Sequence, residues 1–226
     1  MDLYSQKGKS TQQKIVIILL EIIILAISYW ILFLGGYHQL IHNRSTGGDA
    51  TRHLIMFIFN VIVFVRVCIT MFYLLKRRIP WEEAFSIPFA FAIYYVGFAL
   101  LGYATDNPVN FITIIAIVLF LLGSFLNTGS ELVRNKWKKR KEHDGKLYTS
   151  GLFKYAMHIN YFGDFLWVCA YAIITRNVYS IAIPIFIFCF FVFYNIPKLD
   201  GYLASRYGEE FEVYRKKTKK FIPFIY

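Results

Sequence analysis

The sequence predicts an all-α, polytopic integral membrane protein: a bundle of about six transmembrane helices with both termini in the cytosol. Three observations predict it. The 226 residues are 57% hydrophobic and 19% aromatic, more apolar than a soluble domain. Apolar runs of membrane-crossing length recur along the chain. The basic residues that give the formal charge of +11 avoid those runs and gather in alternate connecting segments. The aromatics sit inside the apolar runs rather than among the lysines, which argues against a nucleic-acid partner and for a lipid bilayer.

The elements follow in order. The polar lead MDLYSQKGKSTQQK precedes a run too long for a signal-peptide core, so no cleavable signal is expected. Runs able to cross roughly 30 Å of hydrocarbon at about 1.5 Å per residue lie near 15–34, 54–75, 84–104, 108–126, 159–175 and 178–197. The third and fourth turn at TDNP, with Pro108 placed at a helix start. The fifth is short and partly polar and joins the sixth through TRN, a tight helical hairpin. This divides the chain into 1–126, with about four transmembrane helices, and a C-terminal region, 127–226.

Charge orients the bundle. With the N-terminus in the cytosol, 21 of the 25 basic residues fall on that side; Arg44, Arg52 and Arg176 fall opposite, and Arg66 lies within the second run. The loop RNKWKKRKEHDGK reads as a topology determinant and solvated collar, or as an anionic-lipid or nuclear-localisation patch. Cys68, Cys169 and Cys189 lie in apolar runs without metal-ligand spacing and read as small hydrophobes. No P-loop, dinucleotide-binding glycine fingerprint, HExxH or Ser-His-Asp order occurs.

Ionisable and amide groups inside apolar runs are costly and mark sites or structural pairs. Glu21 lies about 10 Å and Arg66 about 13 Å in from the cytosolic ends of their helices. They read as a structural ion pair or as catalytic groups, near enough to pair directly or through one polar group. Asn127 and Glu131, at i and i+4, close the fourth helix, and are a site pair or a helix end reaching to water. Asn160, Tyr161 and Asp164 occupy the first turns of the fifth helix, with His158 just before, an interfacial histidine or a base. Asn195, Lys198 and Asp200 end the sixth. The polar groups therefore gather in the cytosolic half, the outer half is nearly featureless, and a site is expected to open to the cytosol.

Three blocks, GSFLNTGSELVRNKWK, GLFKYAMHINYFGD and YLASRYGEEFEVYRKKTKKFIPFIY, carry a family likeness. In order and spacing they resemble the C-terminal domain of the steroid 5α-reductases, within the membrane superfamily that also holds sterol C14-reductases and isoprenylcysteine carboxyl methyltransferases. The resemblance implies a cytosol-open cofactor pocket. Carried over residue by residue, it implies cofactor contacts by Asn127, Glu131, Arg134 and Lys138, by Asn160, Tyr161 and Asp164, and by Lys198 and Tyr202. Where the methyltransferases read Arg-His-Pro before the Asn-Tyr, this chain has Met157-His158-Ile159, and the motif acid is Asp164 rather than Glu.

The implied activity is NADPH-dependent reduction of a polarised C=C bond in a lipid or steroid-like substrate; residues 1–120 match the family only as apolar helices, and there Glu21, Arg66 and Tyr95 are the candidate catalytic, substrate-side groups. The alternatives are S-adenosylmethionine-dependent methyl transfer and a non-catalytic lipid-binding membrane protein. The expected compartment is the endoplasmic reticulum for a eukaryotic source and the inner membrane for a bacterial one.

Overall fold

The computed structural model describes residues 8, 10–42 and 47–226. Lys7, Lys9 and Arg44, which enter the charge count, lie outside those residues, as does part of the STGGD loop. The described chain is helical throughout. We number its helices α1 (Thr11–Phe33), α2 (Gly36–Ile41), α3 (Ala50–Leu74), α4 (Trp81–Tyr103), α5 (Phe111–Lys138), α6 (Ile159–Thr175), α7 (Val178–Tyr207) and α8 (Glu209–Lys217). Five of them, α1, α3, α4, α5 and α7, are long and apolar enough to cross a membrane, and α6 is a shorter apolar helix of 17 residues. This is the polytopic helical protein the apolar runs predict.

Large apolar side chains remain exposed along these helices, among them Leu19 and Ile23 on α1, Phe89 on α4, Leu121 and Phe125 on α5, and Phe186 and Phe193 on α7. Such a surface suits acyl chains rather than water.

Helix ends differ from the sequence expectation. Helix α5 begins at Phe111 rather than at Pro108, because Asn110 Oδ1 accepts the Ile112 N–H at 3.0 Å and satisfies a first-turn donor. Its far end runs past 126 to Lys138, and α7 likewise runs past 197 to Tyr207. A helix satisfies its own backbone whatever the polarity of its side chains, so the end of the apolar run does not end the helix.

Four turns widen to π geometry: Thr70–Leu74, Ile93–Gly97, Phe125–Gly129 and Phe191–Asn195. π-turns inside α-helices concentrate at functional sites.

The described chain divides into two compact units. The first holds the residues up to Val118 together with Cys169–Ile181, and the second holds Leu119–Val168 and Ala182–Tyr226.

In the first unit α1 packs along α3 and α4. The α3 residues Met56, Phe59, Asn60, Val63, Arg66 and Val67 recur at three- and four-residue spacing and form its buried stripe. Far from Arg66, at the start of α3, Asp49 Oδ1 accepts the Arg52 N–H at 2.9 Å as the N-cap. The expectation of a featureless outer half fails here. Arg52, 1% exposed, donates to the carbonyls of Thr105 and Asn107, and His53 Nε2 lies 3.0 Å from the Tyr103 carbonyl with the two rings stacked at 4.8 Å. These polar side chains serve the backbone of a connecting segment.

In the second unit the backbones of α5 and α6 meet at two glycines. A Cβ on Gly123 would lie 2.6 Å from the Trp167 amide nitrogen and 2.7 Å from the Gly163 carbonyl. Small residues at such a crossing let membrane helices touch. The segment 218–226 folds back: the Lys219 and Lys220 carbonyls accept the N–H groups of Met157 and His158 at 2.8 and 3.0 Å.

Candidate active site

In the second unit a cleft with room of about 50 Å³ is lined by side chains of α5 (Arg134, Lys138), of 147–160 (Tyr148, Phe153, His158 and Asn160 among them) and of α7 (Leu199, Leu203), with Tyr214 of α8. Its chemistry is mixed, with aromatic and aliphatic walls carrying two cations, an amide and an imidazole. Glu131 Oε2 accepts from Arg134 Nη2 at 2.5 Å, and Arg134 also lies over the Phe153 ring at 5.2 Å. Lys138 Nζ donates to the Tyr207 hydroxyl at 3.4 Å. On the same helix Glu131 Oε1 and Asn135 Nδ2 are buried without hydrogen-bond partners. Each such group calls for a partner, a water or a ligand atom among them.

Of the nine residues expected to hold a cofactor, Arg134, Lys138 and Asn160 line this cleft. Asn127 stands in the π-turn Phe125–Gly129 and donates through Nδ2 to the Asn160 carbonyl at 3.2 Å, so it positions the cleft wall. Glu131 reaches the cleft through Arg134. Tyr161 is stacked between His158 (5.6 Å) and Phe191 (4.9 Å). Asp164 accepts the Trp167 indole N–H at 2.8 Å. Lys198 lies over the Tyr194 ring at 5.6 Å, and the Tyr202 hydroxyl accepts from Arg206 at 2.6 Å.

Sequence reasoning missed the histidine's partner. His158, 1% exposed, holds its Nε2 2.8 Å from Asp200 Oδ1, while Lys220 Nζ lies 3.7 Å from the other carboxylate oxygen. Forty-two residues separate His158 from Asp200, and only the fold joins them. Outside the membrane-spanning helices, Tyr214 donates to the Phe153 carbonyl at 2.5 Å, and burial raises its phenol above the ordinary tyrosine range.

The first unit holds the other three candidates together. Glu21 of α1 is 0% exposed, and both carboxylate oxygens lack a hydrogen bond. Tyr95, also 0% exposed and set in the π-turn Ile93–Gly97, brings its hydroxyl close enough to interact with that carboxylate, though neither group completes a well-aligned bond. Arg66 is coupled electrostatically to Tyr95 and Tyr171. Around them the polar groups are satisfied: Tyr171 donates to Asn60 Oδ1 at 2.7 Å, and Asn60 Nδ2 donates to Ser28 Oγ at 2.9 Å. Tyr95 thus interacts with Glu21 and feels the charge of Arg66, and no spacing in the sequence ties it to either.

Comparison with known proteins bears on this arrangement. Residues 4–218 match a family model described as "Protein of unknown function (DUF1295)". The chain belongs to that family. It is 31% identical over 127 residues to 3-oxo-5-alpha-steroid 4-dehydrogenase 1 of Macaca fascicularis, covering 55% of this chain and 45% of that protein. To 3-oxo-5-alpha-steroid 4-dehydrogenase 2 of Sus scrofa it is 29% identical over 163 residues, 68% of this chain and 61% of the relative. To Protein-S-isoprenylcysteine O-methyltransferase of Schizosaccharomyces pombe it is 32% identical over 88 residues, 39% and 36% of the two chains. The DUF1295 chain therefore spans about half the length of the curated relatives it matches, and those relatives are enzymes of two kinds. The expected superfamily is the one found.

Proposed function

We propose that this integral membrane protein is an oxidoreductase that reduces a polarised C=C bond of a lipid or steroid-like substrate with NADPH. The observation that carries it is the Glu21–Tyr95 pair. A buried phenol and a buried carboxylate face each other with hydrogen-bonding capacity unfilled, as a site for a ligand carbonyl requires. The likeness to 3-oxo steroid dehydrogenases supplies the substrate class.

In this proposal Tyr95 donates its O–H to the carbonyl oxygen conjugated with the C=C bond. When a hydride adds at the β-carbon, the π electrons move towards that oxygen, and the phenol stabilises the growing enolate charge. Glu21, as a neutral carboxyl, donates to the phenol oxygen and fixes its orientation, and Arg66 offsets the negative charge that grows towards the enolate. A proton taken up from water at the α-carbon completes the reduced product.

NADPH, which would supply the hydride, is assigned to the cleft of the second unit. The residues there fit it: Arg134 and Lys138 suit phosphate oxygens, Asn160 a polar edge, and Tyr148 and Phe153 a ring face. The cleft's room of about 50 Å³ is well below the roughly 300–1,000 Å³ of ligand pockets, so binding requires its walls to part. We further assign 1–126 to the transmembrane, substrate-side part and 127–226 to the cofactor-binding part. Both termini are placed in the cytosol on the strength of the basic residues.

The second reading, S-adenosylmethionine-dependent methyl transfer, draws on the similarity to the Schizosaccharomyces pombe enzyme. The two cations of the cleft count against it, because the sulfonium of that cofactor is itself cationic.

Titration of the purified protein in nanodiscs with NADPH and with S-adenosylmethionine separates the readings. NADPH is expected to bind, and a 3-oxo-4-ene steroid to be reduced. Tyr95→Phe should lower turnover by about 10²–10³, the loss typical of one oxyanion donor, with NADPH affinity kept. Binding of S-adenosylmethionine instead, or of neither cofactor, would reject the proposal, the latter in favour of a lipid-binding protein.

A further inference from the structure

The segment 219–226 begins beside a lysine-rich surface yet does not stay there. Phe221 is 0% exposed, with its ring centroid 5.9 Å from Phe162, 6.2 Å from Phe165, 5.9 Å from Phe188 and 6.2 Å from Phe191. Phe165 lies six residues into α6, a depth of about 9 Å at 1.5 Å per residue. The tail therefore enters the apolar layer between α6 and α7. It closes on itself there, as the Phe221 and Ile222 N–H groups donate to the Tyr226 carbonyl at 2.6 and 2.7 Å. Its backbone is thus partly satisfied internally, as an apolar surrounding demands.

What the tail presents outward is apolar: Phe224 is 76% and Ile225 72% exposed, with Tyr155 beside Phe224 at 5.6 Å between ring centroids. Around it stand the exposed cations Lys154, Lys216, Lys217 and Lys219. An apolar tip beneath a cationic collar matches acyl chains beneath anionic headgroups.

We propose that 219–226 is a bilayer-inserted clasp: Phe224 and Ile225 lodge among acyl chains at the membrane interface, held there by the lysine collar on anionic lipid. The clasp is tied to the cleft by its backbone. The carbonyls of Lys219 and Lys220 carry the N–H groups of Met157 and His158, and both those side chains line the cleft. Lipid contact at the tip therefore holds one wall of the cleft in place. The inference uses only the geometry of the cleft and stands whichever cofactor enters it.

Two measurements test it, neither relying on activity. The first places Phe224→Trp in nanodiscs of dibrominated phosphatidylcholine with phosphatidylglycerol. Relative to the wild-type tryptophans, the added emission should be blue-shifted and lose intensity to the bromines. Water-like emission untouched by bromine overturns the insertion, and so does emission shielded in a cross-linkable dimer. The second follows amide hydrogen exchange at 155–160. Exchange should be slower in bilayers containing phosphatidylglycerol than in phosphatidylcholine alone, and Phe224→Ser with Ile225→Ser should remove the difference. Both substitutions are at exposed positions, so the fold is expected to survive them. Exchange indifferent to lipid charge and to both substitutions overturns the coupling.

Discussion

Glycine-to-alanine substitution should have opposite signs at two positions of the second unit, for reasons that can be worked from the structure. At Gly163, in the NYFGD motif, an added Cβ would stand 2.6 Å from the Gly123 carbonyl oxygen and 2.9 Å from the Leu126 carbonyl carbon, and would also strike the Asn127 amide nitrogen. All three obstacles are backbone, so no side chain can rotate away, and α5 and α6 must separate. Separation also draws the Asn160 carbonyl from Asn127 Nδ2, now 3.2 Å apart. Overpacking of this kind costs about 1–3 kcal/mol, or about 5- to 150-fold in the folding equilibrium.

At Gly201, inside α7, no heavy atom lies within 4 Å of the added Cβ. There alanine removes only the helix penalty of glycine, and the gain is up to about 1 kcal/mol. Reversible unfolding in bicelles, with helicity followed as denaturing detergent is added, measures both. Gly163→Ala should shift the curve to lower detergent and Gly201→Ala should leave it or shift it upward. If Gly163→Ala lies within about 0.5 kcal/mol of wild type, the backbone contact is not what the motif glycine provides.

Orientation and alkaline stability give two more tests. Tags on the two termini should both be cleaved by protease added to the cytosolic face of sealed vesicles, since 21 of 25 basic residues lie on that side; protection of either tag reverses the orientation. Tyr214 is raised by burial, so above about pH 10 an unfolded chain releases its phenolic proton while the folded chain keeps it. Its contribution to stability is complete below that pH and falls as pH rises, by up to about 1.4 kcal/mol per unit. Tyr214→Phe should flatten the decline in unfolding midpoint between about pH 10 and 12. An unchanged slope would show that the hydroxyl is not held neutral by the fold.

How much of this was legible in the sequence depends on the kind of signal each residue leaves. Glu21 and Arg66 stand out because an ionisable group in an apolar run is conspicuous whatever its partner. Asn160 stands out through its motif, and the motif glycine proves to be the place where two backbones touch. Lys198 and Tyr202 enter through the family likeness. The structure turns them to Tyr194 and Arg206 just after the π-turn Phe191–Asn195, where an extra residue shifts the helix register. Asn127 and Tyr95 also sit in π-turns, and a 3.6-residue period gives no warning of them. The His158–Asp200 pair was invisible for a different reason: its members lie on separate elements, and neither residue type is informative until the fold supplies the other.

Two polar clusters of the first unit differ in how far their polar groups are satisfied, and the difference supports the role proposed for Glu21 and Tyr95. Arg52 and His53 are as buried as Glu21, yet their polar groups engage backbone carbonyls of the chain that connects α4 to α5. Removing them leaves carbonyls unpaired. Glu21 and Tyr95 lie in the same unit as Asn60, Ser28 and Tyr171, which bond one another in a chain. It does not include them. A buried polar atom left unbonded costs about 1–3 kcal/mol, so the Glu21–Tyr95 pair is held at a cost that the satisfied groups around it do not carry. In the proposed reaction, a ligand that accepts from the phenol recovers part of that cost on binding, and more as negative charge builds on the accepting atom; that difference would lower the barrier.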